Sequence, residues 1–176
     1  MECFKTFRKA PPSQLIMTLL VKNEESMLEE NLLFHKAMGV DSFIITDNNS
    51  TDSTPEIIRK YKQKGWIKEV IEEKATDYEQ KEWVDRMIWK AKTIYKADWI
   101  INADAYELWY SPSGNLKTDL SATHANVLNC EMRSVYPEEN QPFWQWDKVV
   151  KPVSEPERYY LSTYSIFERQ NKKVIH

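Results

Sequence analysis

Four short apolar runs, spaced so that a helical segment fits after each of the first three, constrain this chain more than any other feature. They are Gln14 to Val21, Ser42 to Thr46, Trp66 to Ile71, and the run opening at Trp99-Ile100-Ile101. A run that is apolar nearly throughout suits a strand buried on both faces. Between them, Met27, Leu28, Leu32, Leu33, Ala37 and Met38 give the first helical segment an apolar side, with Asn23 as its predicted cap, Glu24 and Glu25 in its first turn, and Gly39 as its stop. Ser53 and Glu56 around Pro55 predict a capping box for a second helix over 56–64, ended by Gly65. Asp77 with Gln80 predicts the start of a third, from Glu79 to about Tyr95, with Trp83, Met87, Ile88 and Ala91 as its buried stripe. Strand–helix alternation of this kind predicts an α/β fold, a mostly parallel Rossmann-like sheet with helices on both faces.

That topology says where to look for chemistry. Right-handed crossovers bring every strand's carboxyl end to one rim. In the doubly wound order the first and fourth strands meet at the switch point, where ligands bind. The segments at that rim are Lys22-Asn23-Glu24, Asp47-Asn48-Asn49, Lys74 to Tyr78, and Asp104 to Glu107. Asn23 and Asp104 then flank one crevice, with Asp47 one strand away.

Composition narrows the classes of function. The 176 residues hold only three glycines, Gly39, Gly65 and Gly114. No glycine-rich loop exists to cradle phosphates, which excludes a dinucleotide fingerprint and a Walker-type loop. A bound nucleotide would need its phosphates neutralised by a metal on carboxylates or by Lys and Arg. The net charge of −3 argues against nucleic acid as a partner. Cys3 and Cys130 stand far apart in no ligand spacing, as in a protein of a reducing compartment, so a cytoplasmic location is expected. The opening MECFKTFRKAPPS lacks the apolar core of a signal peptide, and the run Leu15 to Val21 is too short to span a bilayer. Beyond Tyr110 the alternation stops: Ser111 to Gly114 reads as a turn, Ala125 to Tyr136 as strand-like, residues 137–158 as loop, and Tyr159 to Phe167 and Lys173 to Ile175 as further short strands. The chain is thus expected to form a single domain over 1–176. Residues 14–110 would be its ligand-binding half and 111–176 a less regular, incomplete remainder.

Individual residues each carry two readings. Asp47-Asn48-Asn49-Ser50-Thr51-Asp52 is either a turn with a helix cap or a carboxylate placed for a base or ribose hydroxyl. Asp104 and Glu107 are either solvated acids at a strand end or oxygen ligands for a divalent cation such as Mg²⁺, which is often shared between one or two carboxylates and substrate phosphates. Gln80, Asp85 and Arg86 read as a solvated helix face, and His35 as surface or core edge.

Taken together, three motifs resemble the family 2 glycosyltransferases of GT-A fold. Thr18-Leu19-Leu20-Val21-Lys22-Asn23-Glu24-Glu25 is similar to that family's opening strand and Asn-Glu turn. Ile44-Ile45-Thr46-Asp47-Asn48-Asn49-Ser50-Thr51-Asp52-Ser53-Thr54 resembles its Asp-Asp-Gly-Ser-Thr-Asp-Gly-Thr loop, and Ala97 to Leu108 its strand ending in Asp-X-Asp. The resemblance implies transfer of a sugar from a nucleotide-diphosphate sugar to a polysaccharide or lipid-linked acceptor, with Mn²⁺ or Mg²⁺ and peripheral membrane association. It places Lys22, Asn23, Glu24, Asp47, Asn49, Arg86 and Asp104 around the donor, with Asp104 at the metal. Glu138 and Glu139 are the candidates for catalytic base. One departure matters: Tyr106 stands where the second, metal-ligating Asp belongs, and a phenol of pKa ~10 is a poor ligand for a hard cation. The alternative implied by that departure is a degenerate module that binds a nucleotide, sugar or partner protein without turnover.

Overall fold

The computed structural model describes residues 13–74, 80–123, 127–130 and 173–175. The chain divides into two compact units, Met1–His124 and Ala125–His176. In the first unit the order is β1 (Leu15–Val21), α1 (Leu28–Ala37), β2 (Ser42–Asp47), α2 (Thr54–Gln63), β3 (Ile67–Glu72), α3 (Gln80–Thr93), β4 (Trp99–Ala103) and α4 (Leu116–Ser121). β1 to β4 form one all-parallel sheet in the order β3-β2-β1-β4. This is the doubly wound arrangement predicted from the alternation, with the switch point between β1 and β4. The direction of strand addition reverses at β4, so right-handed crossovers put α1 and α2 on one face and α3 on the other.

Alternation along the strands feeds both faces. Ile16, Ile44 and Ile100 meet Met87 and Ala91 of α3 in one buried cluster, with Leu20, Ile71, Val84 and Ile88 packed around it. Leu15, Met17, Leu19, Phe43, Ile45 and Ile101, on alternate positions of the same strands, are also fully buried. Fully burying each such side chain stabilises the fold by about 1.5–3 kcal/mol. Thr18 is the polar exception on β1. Its hydroxyl donates to Asn102 Oδ1 across the β1–β4 seam at 2.9 Å, which satisfies the group where the sheet is otherwise apolar.

Local details differ from the sequence reading in four places. Asn23 does not cap α1. The helix starts after Met27 with no side-chain cap, and Glu24 O takes the amides of Met27 and Leu28 instead. The buried stripe of α1 is Leu28, Asn31, Leu32 and His35, with Leu33 and Ala37 outside it. The Ser53 capping box is not formed, because Asp52 Oδ1 accepts from Thr54 N at 2.9 Å and takes over the task. Finally, residues 116–121, left unassigned from the sequence, form α4, capped by Asn115 Oδ1 on Thr118 N.

Gly39 ends α1 as predicted, and for two reasons. Its φ is +96°, and a Cβ there would lie 2.8 Å from Asn115 Oδ1, because the chain entering α4 docks Leu116 N on Met38 O. In the second unit, Leu128–Cys130 and Lys173–Ile175 pair as antiparallel strands β5 and β6. The second of these was predicted from the sequence. The first is a three-residue part of the 125–136 run.

Candidate functional site

A cleft of about 290 Å³ opens at the carboxyl ends of β1 and β4, where the strand order reverses. Leu20, Val21, Lys22 and Glu24 line it from β1 and its following turn, Asn48 from the end of β2, Gln80 from the start of α3, and Asp104, Ala105 and Tyr106 from the end of β4. Of the residues singled out in the sequence, Lys22, Glu24 and Asp104 therefore share one cleft.

Asn23, Asp47 and Asn49 do not line it: Asn23 and Asp47 tie together the loops beside it, and Asn49 is exposed. Asn23 sits in the left-handed region at φ 55°, as does Asn49, a conformation that Asn tolerates better than most side chains. Asn23 Oδ1 accepts from Thr51 N at 2.8 Å, and Asn23 N donates to Ser50 Oγ at 2.9 Å. Glu24 N donates to Thr54 Oγ1 at 2.8 Å, and Glu25 N to Asp52 Oδ2 at 3.1 Å. Ser53 N closes the set on Glu25 Oε2 at 2.9 Å. The carboxylate of Asp47 is turned into its own loop, accepting from Ser50 N and Ser50 Oγ at 3.1 and 2.5 Å. The dense turn formers after β2 thus serve as a lacing between the β1 and β2 loops. Arg86 lies apart from the lining. Its guanidinium pairs with Glu73 just past β3, at 2.6 Å.

At the β4 end the chain turns instead of staying extended. Glu107 N donates to Asp104 O at 3.0 Å, and Glu107 Oε2 accepts from Asp104 N at 3.1 Å. An extended strand would turn Glu107 to the opposite side from Asp104, whereas this turn brings the two together. The Tyr106 hydroxyl donates to Asp104 Oδ2 at 2.9 Å. Burial, then the charge of Asp104, then that hydrogen bond push the phenol well above its ordinary value. Burial, then the charges of Asp104 and Asp52, raise the Glu24 carboxyl. The cleft is therefore acidic, with Lys22 its one lining cation among the described residues.

This donor set decides how a divalent ion would be held. Among the described residues no group of three or more His, Cys, Asp or Glu side chains is placed to cage a metal. One or two carboxylates facing an open cleft fit a hard cation whose remaining ligands come from phosphates and water. They do not fit a closed protein cage. Glu138 and Glu139 lie outside the described residues, as do Asp77 and the rim segment 75–78. Two polar lining residues stand outside the donor set that the resemblance implies: Asn48, placed at the rim but among turn formers, and Gln80, which read as a solvated helix face.

No family model and no curated protein sequence matches the chain. Solved structures do. S. aureus TarS matches at a TM-score of 0.50 and 16% identity, over 62% of this chain and 19% of TarS. The S. aureus TarS 1-349 structure in complex with UDP gives 0.49 and 16%, over 62% of this chain and 31% of that one. The mannosyltransferase PcManGT from Pyrobaculum calidifontis, in complex with GDP-Man and Mn²⁺, gives 0.44 and 18%, over 58% and 30%. These neighbours are glycosyltransferases, and the likeness to TarS establishes a GT-A-like α/β fold for a chain spanning 19% of that protein's length.

Proposed function

We propose that the cleft between β1 and β4 binds a nucleotide-diphosphate sugar, and that the chain takes part in transferring that sugar to a polysaccharide or lipid-linked acceptor. The observation that carries this reading is the meeting of Glu24 and Asp104, from two motifs about eighty residues apart, at the switch point of a GT-A-like sheet. Asn48 and Gln80 supply the uncharged hydrogen-bonding groups that a nucleoside uses. An anionic donor entering a cleft with two carboxylates and one lysine meets net repulsion, so it is expected to bind together with a divalent cation. Such an ion, when bound, would neutralise charge on the leaving diphosphate. Asp104 is the carboxylate proposed to face it. Attack by an acceptor hydroxyl needs a general base, proposed at Glu138 or Glu139.

The test is a thermal-shift screen of UDP- and GDP-sugars with and without MnCl2. A ligand present at about one hundred times its Kd stabilises the fold by about 2.7 kcal/mol, a clear rise in Tm. No rise with any donor would sink the reading.

The Tyr106 hydroxyl on Asp104 Oδ2 favours a second reading, binding without turnover. Tyr106→Asp is then expected to raise Mn²⁺-dependent donor hydrolysis from a weak or absent level. Full-rate hydrolysis by the unmodified chain would dispose of this second reading.

A further inference from the structure

Asn31 and His35 lie one turn apart on α1, and both are fully buried. Two polar side chains on the core face of a helix are costly unless every polar atom is partnered. Here they are. Asn31 Nδ2 donates to Ala105 O at 2.8 Å and to Glu107 O at 3.0 Å. His35 Nδ1 lies 2.9 Å from Asn31 O and 3.0 Å from Asn31 Oδ1. Trp109 N donates to His35 Nε2 at 2.9 Å. A backbone amide can only donate, so Nε2 is the bare nitrogen and Nδ1 carries the hydrogen. That tautomer fixes the amide of Asn31 in turn, with Oδ1 toward the imidazole and Nδ2 toward the two carbonyls. Burial keeps the ring neutral by lowering its pKa to about 4. The network is thus determined at every atom.

Its object is the strap from 105 to 109 that leaves β4. Residues 107–110 have no regular secondary structure. Alternate residues Ala105, Glu107 and Trp109 offer their backbone to α1, while Tyr106 and Tyr110 between and beyond them are exposed. We propose that Asn31 and His35 are positioning residues for the cleft, anchoring this strap so that the Tyr106 hydroxyl meets Asp104. As a statement about donor binding, the inference rests on the reading of the cleft given above. As a statement about the strap, it does not.

The experiment compares the native protein with His35→Leu, which keeps the bulk and loses the acceptor, and His35→Gln, whose side-chain oxygen can replace Nε2. Four readouts are taken. Long-range nitrogen–proton NMR should show the Nδ1–H tautomer in the native protein. Amide exchange of 105–110 should speed up at least about tenfold in His35→Leu, a local opening of the kind exchange detects, with β1 and β2 unchanged and His35→Gln close to native. Carbon-13 tyrosine NMR should show the Tyr106 ring signals displaced in His35→Leu and close to their native positions in His35→Gln. With UDP and MnCl2 as the probe, Kd should weaken about tenfold in His35→Leu and recover in His35→Gln. If His35→Leu does not fold, Asn31→Ala takes its place with the same expectations except rescue. Native-like strap exchange and native Tyr106 ring signals in the variant would overturn the inference, as would unchanged UDP affinity with a loosened strap. If the native protein binds no nucleotide, the donor reading fails, and the strap and Tyr106 readouts still decide the positioning role.

Discussion

Two segments at the carboxyl rim of the sheet are held in place by opposite means. The turn after β1 and the loop after β2 are laced to each other, at the surface through Asn23, Glu25, Ser50 and Asp52 and beneath it through Thr54. The strap after β4 is held from beneath, by two fully buried side chains on a helix some seventy residues earlier. The lacing is redundant and, apart from the bond to the buried Thr54, wet: any one of its exposed bonds can be replaced by water at small cost. The buried anchor is neither, since a group that loses its partner there has no solvent to turn to. The same rim is therefore predicted to be tolerant on the β1–β2 side and brittle on the β4 side.

The largest effect should come from the buried pair. Asn31→Leu, nearly isosteric, strips two donors from Ala105 O and Glu107 O and a neighbour from His35 Nδ1. Each buried group left unpaired costs about 1–3 kcal/mol. The expected loss is about 2–4 kcal/mol by denaturant melting, within the upper range for point substitutions. A loss below about 0.5 kcal/mol, the level of an ordinary surface change, would break the contrast between the two segments.

Acid should single out the same anchor. The His35 value in the fold, about 4, lies below its ordinary 6.5, so the unfolded chain takes up the proton first. His35 therefore costs nothing above pH 6.5, begins to destabilise as the pH falls through that value, and reaches its full cost below about 4. That cost approaches about 3 kcal/mol. In His35→Gln this part of the pH dependence should vanish. Parallel stability–pH curves for the native protein and His35→Gln between pH 4 and 6.5 would show that the imidazole is not held neutral in the fold.

The asymmetry between the segments also explains what the sequence disclosed. Turn chemistry is local: Asn, Asp, Ser and Thr bond within a few residues or to the neighbouring loop, so Asp47 to Asp52 announces its own role. The apolar runs of β1 and β2 were equally plain, because these central parallel strands are buried on both faces and carry no polar alternation to confuse them. Asn31 drew no reading and His35 read as surface or core edge, because their partners are backbone atoms 74 and 76 positions away, and backbone atoms have no sequence signature. α4 was missed for another reason. Its six residues show barely two turns of period, although Asn115 three before Thr118 is the cap signal that could have found it. Arg86 was placed by motif likeness alone, and its charge is spent on Glu73.

A milder effect tests the laced side. Asn23 has both a left-handed backbone and an acceptor for Thr51 N. Asn23→Gly keeps the backbone comfortable and drops the acceptor, for about 0.5–1 kcal/mol. Asn23→Ala loses both and should cost about 1–2 kcal/mol. Equal costs for the two would mean that the φ of 55° carries no strain.

The smallest stability effect, and the most telling for the cleft, belongs to Tyr106→Phe. The residue is 60% exposed, and its ring packing survives the change, so the fold should move by less than about 0.5 kcal/mol. What changes is Asp104, which loses one hydrogen bond that must be broken before that oxygen can face a cation. A hydrogen bond to a charged group is worth about 1.5–3 kcal/mol, and partial exposure reduces that to about a third. Mn²⁺ affinity measured with UDP present should then tighten a few-fold, a change of about 1 kcal/mol. Asn23→Gly, which leaves Asp104 untouched, should leave it unaltered. Equal tightening in both variants would mean that the cation is governed by the laced loops and not by the β4 strap.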